Sequence, residues 1–534
     1  MRGARRLPHL AALSLPAISR RMQSRGSLCR LAGIETGTEA ERPATMQLSI
    51  AGLSVCAVIL IVALYSRGTL IVGLLASLAF GSTAAMTLTS LGGSSPLIYT
   101  LFAMLLVTAV TARRHIWYEL GGALGSIRSL WILISLMTYA AIGAWLFPRF
   151  FAGQTAVFVQ SKTRGAIVEA SLAPVSANIS QTGYFILGGL TAIALCVLLL
   201  RADKIAELRR GFFLWCCLHT GMGLIDLVGK NVGAGDLLAP IRTASYALLT
   251  DAVEAGFARI TGAFSEASSF AGASLACLAF CYTYWRRAGS RLAQWLTGLL
   301  LLLTVLSTSS TAYVGLAVLC IPVALSMSVS AFKGRFEREE IQILVIVVLA
   351  AVTVMGISLY NAGVLDPFVR LINTTLINKA TSASGEERAY WNIKSLQSFL
   401  DTSGLGIGFG SSRASSWPIA VLSQLGAFGS LMMAILVGIL AIGTARMRQW
   451  MEPETCAVVA SVRNAALASI VANTVSGGSA DPGLLFFIGF AVVSATRVRA
   501  RRTAILLGQH RLRMRTTGSV TIRVGGPAAG QGIA

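Results

Sequence analysis

The residues best suited to chemistry lie in a long polar stretch, 361–416, of a chain that is otherwise mostly apolar. Two adjacent carboxylates, Glu386 and Glu387, are followed at once by Arg388, and Arg413 lies near the end of the stretch. An arginine guanidinium is always charged, and its planar fork matches pairs of phosphate oxygens. A glutamate can act as a general base when burial moves its pKa toward neutrality. We therefore expect Arg388 and Arg413 to bind a lipid-linked diphosphate and Glu387 to accept a proton, the alternative being ordinary surface charges.

Between these two arginines, glycine occupies every second position of a short run: Gly404, Gly406, Gly408 and Gly410. Glycine permits positive φ angles and a close approach of the backbone to another group. Backbone N–H groups in such a run can cradle phosphate. The alternative is a flexible loop that leads into the apolar segment at Trp417.

A second polar stretch, 231–266, carries Arg242, Arg259 and Glu266 close to the start of an apolar segment. A charge so near a membrane span is costly unless it is paired or functional. Arg242 and Arg259 are therefore further candidate phosphate ligands, and Glu266 is the second candidate base. Gly262 argues against a regular helix between them. A salt-bridged start of the next span is the alternative interpretation.

A third polar stretch, 148–182, begins beside Arg149, directly after an aromatic run. This position suits a phosphate contact and an interfacial anchor equally well. None of the three polar stretches contains a histidine, so a base within them must be a carboxylate. The candidate carboxylates are Glu386, Glu387, Asp401, Glu266, Glu254 and Asp251. No metal-ligand spacing is present, and we expect neither a metal nor another cofactor.

Membrane helices must position these stretches. Hydrophobic residues make up 55% of the 534 residues and charged residues 12%, whereas a typical soluble domain has about 25% charged residues. About 20 apolar helical residues cross the ~30 Å core of a bilayer, which predicts an all-α polytopic transmembrane bundle of about 11–13 spans. The apolar segments lie approximately at 47–64, 69–88, 96–112, 130–147, 183–200, 212–230, 267–284, 292–308, 311–330, 341–360, 418–444, 457–475 and 483–496.

The net charge of +22 is concentrated in short basic clusters between spans, which mark cytoplasmic loops and do not indicate nucleic-acid binding. This rule places the three polar stretches outside and the basic tail, 497–534, inside. The first spans fit less well: 69–95 could instead be one span plus an outer loop, and a short segment there could be re-entrant. Residues 1–45 are predicted to be a disordered basic extension, with Met46 as an alternative start, and 46–496 to be the transmembrane domain.

Several short runs between about 152 and 429 resemble one family of bacterial membrane proteins. They occur in chain order at 178–181, 259–262 with 266–268, 306–313, Arg388 with Trp391, 404–413, and Gly426 with Gly429. These runs, their order and the large late loop are similar to the O-antigen ligase and Wzy-type polysaccharide polymerase superfamily.

The resemblance implies a GT-C-like fold in the bacterial inner membrane, with the C-terminus in the cytoplasm. It implies transfer of a glycan from undecaprenyl diphosphate to an acceptor sugar hydroxyl at the periplasmic face, without a metal or cofactor. Outer-loop arginines would bind the diphosphate, matched here by Arg259, Arg388 and Arg413. The ligase branch carries a histidine in the large outer loop, and this chain has none there. We therefore expect a polymerase of exopolysaccharide or O-antigen repeat units, and a ligase that joins glycan to lipid A core is the alternative.

In the expected reaction, Glu387 or Glu266 takes the proton of the acceptor hydroxyl. The expected partners are the undecaprenyl diphosphate-linked glycan, the acceptor glycan, membrane lipid and other polysaccharide assembly proteins. A transporter or flippase would need charges in mid-span or broken helices in matched halves. Mid-span charge is sparse, mainly Asp226 and Arg463. A scaffold of a synthesis complex would not need an arginine-flanked outer loop.

Overall fold

The computed structural model describes most of the chain after the N-terminal extension. The described residues are 46–65, 69–88, 94–160, 167–201, 203–245, 248–250, 253–254, 257–360, 366–378 and 381–517. The predicted extension at 1–45 and the last part of the predicted basic tail lie outside the described residues.

Helices dominate the described residues. Their bounds are α1 Ile50–Tyr65, α2 Leu70–Ser77, α3 Ile98–Thr111, α4 Ile116–Ser126, α5 Ser129–Phe150, α6 Ser176–Arg201, α7 Ile205–Val232, α8 Ala267–Ala288, α9 Arg291–Leu306, α10 Ser310–Phe332, α11 Arg338–Tyr360, α12 Asp366–Ile372, α13 Ala383–Asp401, α14 Trp417–Ile442, α15 Pro453–Ser476 and α16 Leu484–Thr517. Short 3-10 turns lie at Ala239–Ile241 and Ala445–Trp450, and a π-helical turn lies at Asn373–Ile377.

The strands of the described residues form small two-stranded antiparallel sheets. The pairs are β1 Met46–Leu48 with β2 Met86–Leu88, β3 Ala156–Gln160 with β4 Ile167–Ser171, and β5 Val253–Glu254 with β6 Phe257–Ala258. In the longest hairpin Ala156 pairs with Ser171 and Gln160 with Ile167.

Seven of the described helices are long and apolar enough to cross a membrane, namely α5, α6, α7, α10, α11, α14 and α15. Helices suit this environment because each satisfies its own backbone hydrogen bonds, which lipid cannot do. The chain is therefore an all-α, polytopic helix bundle. Shorter apolar helices, α1, α3 and α9, accompany the seven. The larger count of 11–13 spans and the GT-C-like type stay predictions.

The predicted span at 69–88 is wrong. Helix α2 has eight residues and ends at Ser77, so it rises only about 12 Å of the ~30 Å that a span requires. Turns follow, and the chain then enters strand β2. The alternative of a short re-entrant segment describes this part of the chain better.

The core of the bundle lies mainly among α5–α8 and α14–α16. Glycine brings helices close together there: Gly188 of α6 lies directly against the ring of Phe487 in α16. The Phe185 ring is 4.9 Å from that of Phe409 and 5.6 Å from that of Phe487, measured between centroids. Helix α11 differs, since none of the residues in its most apolar part is buried in the protein.

One end of the bundle, here the hairpin end, gathers the polar segments. Their described parts lie within 80–97, 151–175, 233–266, 402–416 and 477–483. Direct backbone hydrogen bonds join these segments: the amide of Ser82 donates to the carbonyl of Ala263 at 2.9 Å, and the amide of Ala414 donates to the carbonyl of Gly478 at 3.2 Å. Backbone hydrogen bonds thus connect 80–97 with 233–266, and 402–416 with 477–483.

The opposite end, here the basic end, gathers the clusters of arginine. Arg201 pairs with Glu119 at 2.8 Å, and Arg286 pairs with Glu340 at 3.0 Å. Helix α6 connects the two ends, because it begins in the hairpin end and finishes at Arg201. The three polar stretches thus share one end and the basic clusters the other. Which end faces the periplasm stays a prediction.

Candidate functional site

Helix α13 carries the chemistry-bearing residues of the long polar stretch. The helix predicted to begin near Ser382 or Ser384 is confirmed: Ser382 is the N-cap, and its hydroxyl accepts from the amide of Gly385 at 3.2 Å. A capping serine and a carboxylate in the first turn both favour a helix start. Glu386 and Glu387 are exposed there.

Helix α13 is anchored on the β3–β4 hairpin. The ring of Phe158 lies 5.7 Å from that of Tyr390 and 6.0 Å from that of Trp391, between centroids. The Tyr390 hydroxyl donates to Glu169 at 2.8 Å. These contacts hold one face of α13 against the hairpin. Arg388, on the same helix, is half-buried and has no ion pair among the described residues.

The glycine run is a buried, fixed connection. All four of its glycines have positive φ, between 79° and 90°, as predicted. A Cβ atom on Gly406, Gly408 or Gly410 would lie only 2.5–2.7 Å from a backbone atom of another segment. The amides of Gly408 and Gly410 donate to the carbonyl and the side-chain Oε1 of Gln424, at 3.1 and 2.8 Å. The close approach is to protein, so the phosphate-cradle interpretation is wrong for these amides.

The glycine run fixes the backbone of Arg413. The Arg413 amide donates to the Phe158 carbonyl at 3.0 Å, and the Phe158 amide donates to the hydroxyl of Ser412 at 3.0 Å. Gln424 Nε2 also donates to the carbonyl of Ser412, at 2.8 Å. The Arg413 side chain itself remains exposed. A rigid backbone thus presents a guanidinium that has no ion pair or hydrogen bond within the described part of the chain.

The guanidinium of Arg413 lies beside Gly478 and within the electrostatic reach of Glu266. A Cβ atom on Gly478 would be 3.2 Å from both Nε and Nη2 of Arg413. Surrounding protein lowers the pKa of Arg413, and the negative charge of Glu266 acts in the opposite direction. An arginine guanidinium stays charged in proteins. The fold thus brings together two predicted site residues that are far apart in sequence.

Glu266 is held at the start of α8. It occupies the N-cap position and is half-buried. Its Oε1 accepts hydrogen bonds from the hydroxyls of Ser268, at 2.5 Å, and Ser269, at 3.4 Å. The positive N-terminal end of the helix dipole stabilises a carboxylate in this position. The carboxylate is therefore well placed to hold a fixed negative charge opposite Arg413.

Arg259 lies in the same non-helical segment. Gly262 has a φ of 51°, and the segment runs irregularly into α8, as predicted. The Arg259 side chain is half-buried, and its buried Nε has no hydrogen-bond partner among the described residues. A buried donor without a partner costs free energy, so such an atom requires an explanation. A bound anion would provide one.

Arg242 is placed differently from the other arginines. Its side chain is 1% exposed. Its Nη2 lies 3.3 Å from Asp226, its Nε donates to the carbonyl of Gly262 at 2.9 Å, and its Nη1 pairs with Asp236. Asp226 also pairs with Lys230 at 3.1 Å. The donors of Arg242 are thus used inside the protein, and substrate binding by this residue stays a prediction.

Arg149 is exposed at the end of α5. Its guanidinium lies 4.9 Å from the centroid of the Trp145 ring and donates to the Trp145 carbonyl. This arrangement favours the interfacial anchor over a phosphate contact.

A cavity of about 380 Å³, wide open to the surface, lies at the hairpin end, and one of its lining residues, Gly478, is the glycine beside Arg413. This Asp481 cavity is lined chiefly by Gln181, Tyr184, Asn473, Gly478, Ser479 and Asp481. The amide of Gly483 donates to Asp481 at 2.9 Å, and burial raises the pKa of the carboxyl to about 6.

Sequence reasoning missed Asp481. Its only local signal is a short polar run between two apolar segments, 476–483, which also contains Pro482 and three glycines. Nothing in the local sequence shows that this run lies against Arg413.

Known proteins do not identify the chain: no family model matches it, and no curated protein sequence matches it significantly. The likeness to the O-antigen ligase and polymerase superfamily rests on the short runs described above and stays a prediction.

Proposed function

We propose that this membrane protein is a glycosyltransferase that polymerises lipid-linked polysaccharide repeat units. It transfers a glycan from undecaprenyl diphosphate to an acceptor sugar hydroxyl. The hairpin end faces the periplasm of a bacterial inner membrane, and the C-terminus lies in the cytoplasm. The partners in the reaction are the diphosphate-linked glycan and the acceptor glycan.

The observation that carries the proposal is the guanidinium of Arg413, which is held on a rigid backbone and has no ion pair with any residue that the structure describes. Arg388 lies on a helix that adjoins it, since the side chain of Asn392, one turn after Arg388, accepts from the amide of Ser415 at 2.9 Å. Arg259 lies in the segment that leads to Glu266, whose charge acts on Arg413. None of these three arginines has an ion pair among the described residues. A diphosphate carries the charge that such a group of donors requires.

The reaction follows from this arrangement. The acceptor oxygen forms a bond with the anomeric carbon while the bond from that carbon to the diphosphate oxygen breaks. Arginines fixed beside the leaving diphosphate stabilise the charge that develops on it. The acceptor hydroxyl gives its proton to a carboxylate, for which Glu266 and Glu387 are the candidates from the sequence. Of the two, Glu266 has the electrostatic contact with Arg413.

The test replaces Arg413 in the purified protein, supplied with lipid-linked repeat units that accumulate in cells without this chain. We expect Arg413→Ala to lose most of its activity and Arg413→Lys to regain only part, because lysine cannot bind two oxygens in a fork. Gel sizing of the products measures polymer length. Arg149→Ala, an exposed arginine outside the cluster, is the matched control.

Normal polymer length with Arg413→Ala would overturn the proposal. Full-length polymer left unattached to lipid A core, in cells that lack the chain, would instead identify a ligase.

A further inference from the structure

We propose that the Asp481 cavity binds the acceptor sugar and that the Asp481 carboxylate takes the proton of the attacking hydroxyl. This inference rests on the proposed function, because it places the acceptor beside the diphosphate that Arg413 would hold.

The size and lining of the cavity suit a sugar. Its volume of about 380 Å³ lies within the range of about 300–1,000 Å³ that is usual for small-molecule sites. Amide, hydroxyl and carboxylate groups line it, from Gln181, Tyr184, Asn473, Ser479 and Asp481. Such groups can both donate to and accept from the hydroxyls of a sugar.

Several of these polar groups are held in place by their own hydrogen bonds. The Ser479 hydroxyl lies 3.0 Å from Oε1 of Gln181. Asn473 Nδ2 donates to the carbonyl of Pro482 at 3.2 Å, and the Tyr184 hydroxyl lies 2.7 Å from that of Ser94. A site whose side chains are already fixed binds with less loss of conformational entropy.

Gly478 separates the cavity from the proposed diphosphate site. It lines the cavity and also lies against the guanidinium of Arg413. A glycan whose diphosphate is bound by Arg413 and an acceptor sugar bound in the cavity would be adjacent, because Gly478 between them has no side chain. This proximity is what a transfer between two bound sugars requires.

Asp481 suits proton transfer better than either glutamate. Glu387 is exposed, and the Oε1 of Glu266 accepts from two serine hydroxyls. One oxygen of Asp481 is fixed by the amide of Gly483, and its other oxygen has no hydrogen-bond partner in the part of the chain that the structure describes. Burial raises the pKa of Asp481 to about 6, which is near the range of an effective base at neutral pH.

The proton and the electron pairs balance in this step. The acceptor O–H proton moves to Asp481, and the acceptor oxygen forms the new bond to the anomeric carbon. The bond from that carbon to the diphosphate breaks, and its electron pair leaves with the diphosphate. Water then removes the proton from Asp481. No oxidant, reductant or nucleotide is needed.

The test compares Asp481→Asn with the unmodified protein in the same polymerisation assay. We expect the transfer rate to fall at least about 100-fold, the usual contribution of a general base. The unmodified protein should also lose rate as the pH falls through about 6, and Asp481→Asn should lack that dependence. The titratable and charged groups that line the cavity or adjoin it are Tyr184 of α6, Tyr99 of α3 and Arg413 beyond Gly478.

A second variant measures binding. Gln181→Ala should raise the KM for a soluble acceptor, tested as octyl glycosides of glucose, galactose and N-acetylglucosamine, with a smaller change in kcat. Asp203→Asn, an aspartate at the basic end that pairs with Arg499, is the matched control and should leave both constants unchanged.

The outcomes separate the two proposals. If Arg413→Ala abolishes polymerisation while Asp481→Asn keeps the normal rate and pH profile, the cavity inference is wrong and the proposed function stands. If Arg413→Ala and Asp481→Asn both polymerise normally, both proposals are wrong.

Discussion

Arg242 and Arg413 lie in two polar stretches at the same end of the bundle, but their side chains have opposite surroundings. Arg242 is buried against Asp226 and Asp236, and its donors are satisfied. Arg413 is an exposed residue with a fixed backbone, and the charge of Glu266 acts on its side chain. Charge alone therefore does not mark a binding residue in this surface. An arginine is a better candidate for binding a ligand when its N–H donors are not already bonded to groups of the protein.

The largest expected effect, on stability, comes from removing Arg242 from its buried ion pairs. Arg242→Ala leaves the buried carboxylate of Asp226 without one of its cations, and losing one partner of a buried pair costs about 3–5 kcal/mol. We expect a lower yield of folded protein and a clearly lower Tm in detergent. Arg413→Ala, which breaks no ion pair, serves as the comparison and should keep its Tm. Equal Tm values for both variants would contradict the distinction between the two arginines.

A smaller effect is expected where the glycine run positions Arg413. Gly410→Ala places a methyl group 2.5 Å from the carbonyl oxygen of Ala177 at a positive φ, and the backbone strain alone costs about 1–2 kcal/mol. We expect a lower Tm and a lower transfer rate together. Gly438→Ala, in the last part of α14 where open space surrounds the glycine, is the control and should keep both. A normal rate with Gly410→Ala would show that the run does not position the site.

The smallest effect concerns the support of Arg388. Ser382→Ala removes the N-cap of α13 and should destabilise the helix start by about 1 kcal/mol. Hydrogen exchange over the first turns of α13 should become faster, with little change in overall Tm. Ser384→Ala, two residues later and not a cap, should leave the exchange unchanged. Equal hydrogen-exchange rates in the two variants would contradict the capping role of Ser382.

Local signals in the sequence predicted local structure well. A serine followed by acidic residues predicted the start of α13, and alternating glycines predicted positive φ angles at 404–410. The all-α polytopic class followed from long apolar runs. The failures came from contacts between distant segments. The end of α2 at Ser77, the pairing of Arg242 with Asp226, and the position of Gly478 beside Arg413 all depend on tertiary packing.

The most direct measurement is the binding of undecaprenyl diphosphate to the purified protein, observed by native mass spectrometry from detergent micelles. Hydrogen bonds to a charged group contribute about 1.5–3 kcal/mol, which corresponds to about 10–100-fold in affinity. We predict that Arg413→Ala weakens binding by that factor and that Arg149→Ala does not. Equal affinity in the unmodified protein and in Arg413→Ala would contradict the account.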